Sequence, residues 1–316
     1  MKNIFIMLCF LILFVSCSNT NIANTNNTNV IISTNEDGSI VFEQKDVVYN
    51  IDYKPNVVYA NKDNTDLTLQ IMIPRTLNVD TNAKYPLVVY IQGSAWRKQN
   101  VYRNLVALGD FARRGYVVAI VEYRPSDTAV FPAQIEDTRD AIKFMLYNSD
   151  KYNADTNNLF VWGDSSGGHT SLFTAIPLND NDNTIPNINA IISYYPPTDL
   201  LEMRNDPLGS TTGDANSPEG IFIGRKNVYD YPEEAKKISP YYEISKAKNL
   251  PPIFLAHGTS DGLVPFNQSK ILADKLKEEN RVYEFYAIKD ADHGDWQFWT
   301  KDMFDLVENF INKYKK

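Results

Sequence analysis

Six short apolar runs alternate along this chain with stretches of helical spacing, and no other feature constrains its fold so strongly. The runs at 87–91 (Leu-Val-Val-Tyr-Ile), 116–121, 159–162, 188–194, 253–256 and 282–287 are mostly apolar on consecutive residues, as strands are when both faces of a parallel sheet are covered. Between and after them, 102–113, 131–147, 166–175, 268–279 and 296–314 read as helices. In 131–147, Ile135, Thr138, Ile142 and Met145 share a face and charged residues fill the rest, the pattern of a helix lying on a sheet. Gly115 stands where a left-handed residue closes the first helix. Runs at 40–49, 57–59 and 67–73 come earlier; Leu67, Leu69, Ile71 and Ile73 alternate with smaller or polar partners, so these read as antiparallel leading strands. The expected fold class is therefore α/β: a mostly parallel sheet with helices on both faces and antiparallel leading strands. Its ligand site should lie beyond the carboxyl ends of the strands.

Residues 39–316 read as one domain, because no repeat or composition break divides them. With 316 residues, 43% of them apolar, the chain can bury a large core. Its one long excursion is a lid-like insertion near 196–240, rich in Pro, Gly, Asp and Asn, which reads either as a lid or pocket wall or as a mobile insertion without a role. A net charge of −8 makes nucleic acid a poor partner. The two cysteines, Cys9 and Cys17, both lie in the first twenty residues, and there are three histidines, so no disulfide framework, metal site or cofactor is expected.

Residues 1–16 read as a signal peptide: Lys2 precedes an apolar run from Ile4 to Val15, too short to span a bilayer. Phe14-Val15-Ser16-Cys17 resembles a bacterial lipobox, with Cys17 the lipidated residue and Phe14 departing from the usual aliphatic side chain. Ordinary secretion, with Cys17 near a conventional cleavage site, is the alternative. Residues 17–38, rich in Asn and Thr with few apolar side chains, read as a flexible tether. An exported lipoprotein of the cell envelope is the localisation expected, with a membrane partner through the acyl chains.

Gly163-Asp164-Ser165-Ser166-Gly167-Gly168 stands between a short apolar run and a helix, the context that makes Gly-x-Ser-x-Gly a nucleophile elbow. A sharp turn brings backbone close to the serine, which is why glycines are needed at 163 and 167. A serine needs a base, and the base an acid to hold its tautomer. His169 falls on the elbow helix and reads as a packing residue; His257 ends a buried run and reads as bonded to backbone. His293, on the loop after the last strand, is the expected base. Asp261 follows the preceding strand and gives the order Ser, Asp, His expected of this architecture. Asp290, Asp292 and Asp295 read as turn formers, and Asp164 as an acceptor for loop amides. The oxyanion donors are expected to be the amides of Ser166, Ser94 and Gly93.

These residues resemble those of an α/β-hydrolase, and more narrowly the bacterial feruloyl or acetyl esterase (BD-FAE-like, carbohydrate esterase) group, near the hormone-sensitive-lipase and prolyl-oligopeptidase branches. The resemblance runs from about Leu67 onward. It rests on Phe131-Pro132-Ala133-Gln134 with Asp137, Asp140 and Ala141, the elbow with Trp162 and His169, Tyr195-Pro196-Pro197-Thr198-Asp199-Leu200, Ser239-Pro240, and His257-Gly258 with Asp261, Val264 and Pro265. It implies a triad at Ser165, Asp261 and His293. One motif departs: where the family reads close to His-Gly-Gly-Gly-Trp, this chain has Gln92-Gly93-Ser94-Ala95-Trp96, and the lost glycines narrow the dihedrals open to that loop. Trp96 and Trp296 read as substrate-lining residues or as core.

The expected function is a serine carboxylic-ester hydrolase removing acetyl or hydroxycinnamoyl groups from carbohydrate, its partner being a small-molecule or oligosaccharide ester. A serine exopeptidase and a catalytically idle glycan- or partner-binding lipoprotein are the alternatives.

Overall fold

The computed structural model of the protein describes residues 30–44, 47–75, 83–179, 182, 184–185, 187–203 and 213–316. The expected signal peptide and Cys17 lie outside these residues. Among the described residues, no helix is long and apolar enough to cross a membrane.

The chain divides into two units between Val48 and Tyr49. In the first, β1 (Val30–Thr34) pairs antiparallel with β2 (Ile40–Gln44), from Val30 opposite Gln44 to Thr34 opposite Ile40. This places a strand in the last part of the tether expected over 17–38, of which 17–29 lie outside the described residues, and the larger unit begins at 49 where 39 was expected. Asn and Thr dominate the tract as a whole, but its last residues, Val-Ile-Ile-Ser-Thr, are β-branched in four positions of five and suit a strand. Gly38, at φ +82°, and Asp37, whose Oδ1 accepts from the Ser39 amide at 2.9 Å, shape the turn.

The second unit is built on an eight-stranded sheet. Its strands are β3 (Asn50–Lys62), β4 (Thr65–Arg75), β5 (Tyr85–Ile91), β6 (Val117–Val121), β7 (Ala154–Asp164), β8 (Ile188–Tyr194), β9 (Ile253–Gly258) and β10 (Tyr283–Ile288). The spatial order is β10-β9-β8-β7-β5-β6-β4-β3. All neighbours from β10 to β6 are parallel; β6–β4 and β4–β3 are antiparallel. Every residue of β5, β6, β8 and β9 is buried, which is why their sequences are apolar without alternation.

Helices cover both faces. On one, α2 (Ala133–Tyr147), α3 (Ser166–Phe173) and α7 (Asn267–Glu278) bring Ile142, Leu172 and Leu272 onto Val89, Val161 and Leu255. On the other, α1 (Leu105–Ala112) and α8 (Lys301–Tyr314) set Phe111 and Phe310 among Tyr90, Trp162 and Phe254. Two expected helices start late. The stretch from 102 becomes helical only at Leu105, and 296–314 opens with a 3-10 turn (Trp296–Trp299) before α8, which Thr300 caps by accepting from the Met303 amide at 3.2 Å.

In its described parts, 196–203 and 213–240, the insertion carries helices of its own. It contains α4 (Pro218–Phe222) and α5 (Pro232–Lys237) and runs into α6 (Pro240–Glu243). Met203, Phe222, Val228 and Ile238 pack there against Trp96 in a third apolar cluster. Several motif residues fasten it: Gln268 Oε1 accepts from the amides of Thr198 and Asp199 at 2.7 Å each, and Ser239 Oγ accepts from Leu200 N at 3.1 Å.

Candidate active site

The chain leaves β5 for β6 on one side and then crosses back past it to β7 on the other, so the crossovers change direction there and a crevice opens at the carboxyl ends of β5 and β7. At the end of β7 the chain turns sharply into α3, and Ser165 takes φ 54°, ψ −126°. A Cβ on Gly163 would lie 2.1 Å from the Gly167 carbonyl oxygen, and one on Gly167 would lie 2.0 Å from that of Ile91. Both distances are impossible for a side chain, so the elbow exists only with glycine at those positions. The strained serine stands at the amino end of α3, where unpaired amides and the helix dipole favour negative charge.

Two loops complete the arrangement. His293, beyond β10, places Nε2 2.9 Å from Ser165 Oγ and Nδ1 2.8 Å from Asp261 Oδ2 on the loop after β9. An ionised carboxylate only accepts, so Nδ1 carries the proton and Nε2 is free to accept from the serine hydroxyl. The Asp261 side chain is almost fully buried. Burial alone would raise its pKa, but hydrogen bonds with His257 and His293 outweigh it and hold the carboxyl well below the usual range. Its other oxygen accepts from the amides of Leu263 and Val264 at 2.9 and 2.8 Å. The ring of Tyr195 meets the His293 imidazole edge-on, with centroids 4.6 Å apart, and fixes its plane.

The other two histidines lie away from Ser165. His257 Nε2 donates to the Val264 carbonyl at 2.8 Å, and Nδ1 accepts from Ser269 Oγ at 2.7 Å. His169 accepts from Trp96 Nε1 at 3.2 Å and donates to the Ile238 carbonyl at 2.7 Å, so it ties the tryptophan to the insertion. Burial pushes its pKa down to about 4 and keeps it neutral, against the pull of the Ile238 carbonyl. Asp292 and Asp295 accept from backbone amides of their own loop, and Asp292 also from Gly262 N at 2.9 Å. Among the described residues, no group of three or more His, Cys, Asp or Glu is placed to hold a metal ion.

The loop after β5 departs from expectation. The Gly93 amide donates to Asp164 Oδ1 at 2.8 Å, and the Ser94 amide to Ser166 Oγ at 2.9 Å, so both already have acceptors. Asp164 is fully enclosed; burial raises its pKa, while Tyr90 and Gly93 donate to it and oppose that rise. The loop turns at 94–97, where Arg97 N donates to Ser94 O at 3.1 Å and both central residues, Ala95 and Trp96, have φ of 55°. Positive φ at both centres is the pattern of a type I′ turn. The amides of Ala95 and Ser166 make no such bond among the described residues, and both residues line a cavity beside Ser165. Gly93 and Ser94, expected as oxyanion donors, are thus engaged elsewhere, in a loop whose turn the sequence motif does not display.

That cavity has a volume of about 110 Å³. Trp96 forms its base, stacked on Phe222 at 4.3 Å, and Met203, Pro218 and Val264 form its sides. Trp296 does not line it: the side chain is 70% exposed, because the 3-10 turn that carries it directs Phe298, not Trp296, into the core. Met203 and Pro218 went unnoticed in the sequence, since an insertion without strong periodicity gives no sign of which residues face the serine.

Residues 69–276 match the family model described as BD-FAE. The esterase LipC of Mycobacterium tuberculosis is 26% identical over 232 residues, covering 71% of this chain and 54% of LipC. The chain spans about half the length of the curated relatives it matches. Among solved structures, a truncated carbohydrate esterase from gut microbiota superposes with a TM-score of 0.72 at 26% identity, covering 85% of this chain and 98% of that one. A bifunctional GH43-CE protein of Bacteroides eggerthii gives 0.70 at 26% identity, over 88% of this chain and 40% of that one. The sheet order, the elbow at the end of β7 and these similarities together give the chain an α/β-hydrolase fold, and by the match over 69–276 it belongs to the BD-FAE family.

Proposed function

We propose that this protein is a serine-dependent carboxylic-ester hydrolase acting on acyl groups esterified to carbohydrate. The observation that carries the reading is the chain of hydrogen bonds from Ser165 through His293 to Asp261, at 2.9 and 2.8 Å. Ser165 Oγ bonds to the ester carbonyl carbon as its proton passes to His293 Nε2. The C–O bond to the alcohol then breaks and the same proton goes to the departing oxygen. Water, deprotonated by His293, adds to the acyl-enzyme, and Ser165 leaves with the proton returned to it. The amides of Ser166 and Ala95 stabilise the oxyanion, and the positive end of α3 adds to their effect. Asp261 holds the imidazole in the tautomer the first step needs.

The carbohydrate part of the reading is supported by the two carbohydrate-esterase structures above. An exported, lipid-anchored protein is supported by the apolar run 4–15 and by Ser16-Cys17. The test is hydrolysis of p-nitrophenyl acetate together with labelling by a fluorophosphonate, in wild type and in Ser165→Ala. We expect activity and labelling in the first and neither in the second. An unlabelled wild type with no hydrolysis would favour the idle binding lipoprotein, and faster cleavage of a dipeptide anilide than of esters would favour the exopeptidase.

A further inference from the structure

We infer that the cavity beside Ser165 is an acyl pocket sized for acetyl and propionyl groups, so that the site excludes hydroxycinnamoyl esters while leaving the alcohol side open to a bulky sugar. The inference rests on the ester-hydrolase reading and narrows its substrate class.

The tetrahedral carbon formed on Ser165 carries four substituents: the serine oxygen, the oxyanion, the leaving oxygen and the acyl chain. The oxyanion points to the amides of Ser166 and Ala95, and the leaving oxygen must lie toward His293 Nε2, which is 2.9 Å from Ser165 Oγ and protonates it. The remaining direction belongs to the acyl chain. The cavity meets this condition: Ala95, Ser165 and Ser166 line it, and neither His293 nor any residue of its loop does.

A void of about 150 Å³ in a protein core holds a single benzene. This cavity, at about 110 Å³, is smaller, and a hydroxycinnamoyl group carries a substituted benzene ring beyond a three-carbon acyl unit. Two of the walls are held in place. Trp96 is 1% exposed, stacked on Phe222 and hydrogen-bonded to His169; Val264 is held by the bond from its amide to Asp261. Enlarging the space means breaking those contacts, and overpacking a fixed pocket costs roughly 10-fold to 200-fold in rate.

The loop that carries His293 leads into the turn at Trp296, whose side chain is 70% exposed, so on that side the described residues meet solvent. A large alcohol therefore leaves toward solvent.

The experiment measures kcat/KM of the full chain on p-nitrophenyl acetate, propionate, butyrate and hexanoate, and on acetylated and feruloylated xylo-oligosaccharides. We expect the acetyl and propionyl esters to lead, hexanoate to fall by roughly 100-fold, and the feruloyl ester to give no detectable turnover while the acetylated oligosaccharide is cleaved. Met203→Ala should raise the hexanoate-to-acetate ratio by about 10-fold or more, a readout independent of how much protein is folded. Feruloyl turnover comparable to acetyl, abolished in Ser165→Ala, would overturn the acyl limit and leave the esterase reading intact. A hexanoate-to-acetate ratio unmoved by Met203→Ala would overturn the assignment of the cavity. No hydrolysis of any ester would overturn both.

Discussion

His257 Nε2 lies 3.2 Å from Asp261 Oδ2, the oxygen that also faces His293 Nδ1 at 2.8 Å, so one carboxylate oxygen sits between two imidazoles. The buried carboxylate is thereby kept ionised and its direction fixed. Asp261→Asn keeps the shape but loses the charge and lets His293 adopt the wrong tautomer; kcat should fall by about 10⁴-fold. The check is kcat for p-nitrophenyl acetate beside the fluorophosphonate labelling rate, and a loss under tenfold in both would remove Asp261 from the triad. Because its folded pKa is depressed, the stabilisation Asp261 gives is complete above the ordinary carboxylate value of 3.8 and is lost as pH falls through the lower folded value.

Acid sensitivity at milder pH is assigned to His169. Its folded pKa of about 4 lies below the ordinary 6.5, so between those values the unfolded chain binds the extra proton. Stability is intact above about 6.5 and declines as pH falls toward 4, by about 3 kcal/mol in total. Urea midpoints at pH 7.5, 6 and 4.5 test this: the decline should be clear in wild type and much flatter in His169→Gln. Equal slopes would refute the assignment.

Ala95 occupies φ 55°, where a Cβ crowds the following carbonyl oxygen at a cost of about 1 kcal/mol or more. Ala95→Gly relieves that contact and keeps the amide. The variant should melt no lower than wild type, and up to about 1 kcal/mol more stable, with acetyl-ester activity retained. A lower melting temperature would mean that the turn at 94–97 does not hold the positive φ.

Arg139 on α2 is nearly fully buried and donates to the carbonyls of Phe173 and Ile176, at 2.9 and 2.7 Å, and to Asp182 at 2.6 Å. It closes the carboxyl end of the helix whose amino end carries Ser165. Arg139→Met leaves those acceptors without their cation and should cost about 3 kcal/mol in chemical denaturation. A cost below about 1 kcal/mol would show that water replaces the guanidinium there.

The sheet was legible in the sequence because strands buried on both faces are apolar on most consecutive residues, and β5, β8 and β9 fall where the runs were read. The elbow was legible for the same kind of reason: backbone at Gly167 and Ile91 leaves no space for a Cβ at 163 and 167. Ser165, Asp261 and His293 could be chosen from topology, since each follows the carboxyl end of a strand. The strand at 30–34 was hidden by the composition of the tract before it, and the 3-10 turn at Trp296 by an apolar content that suits a helix equally well.

The succession of the six apolar strands with the helices between them and the need for glycine at the elbow were determined by the sequence alone, because each depends on local sterics or on burial that repeats along the chain. Which amides are left without acceptors, which face of the insertion meets the serine and how much space remains beside it were decided only by the tertiary structure. Those properties come from contacts between residues far apart in the chain, such as Gly93 with Asp164 and Trp96 with His169, and no local pattern records them.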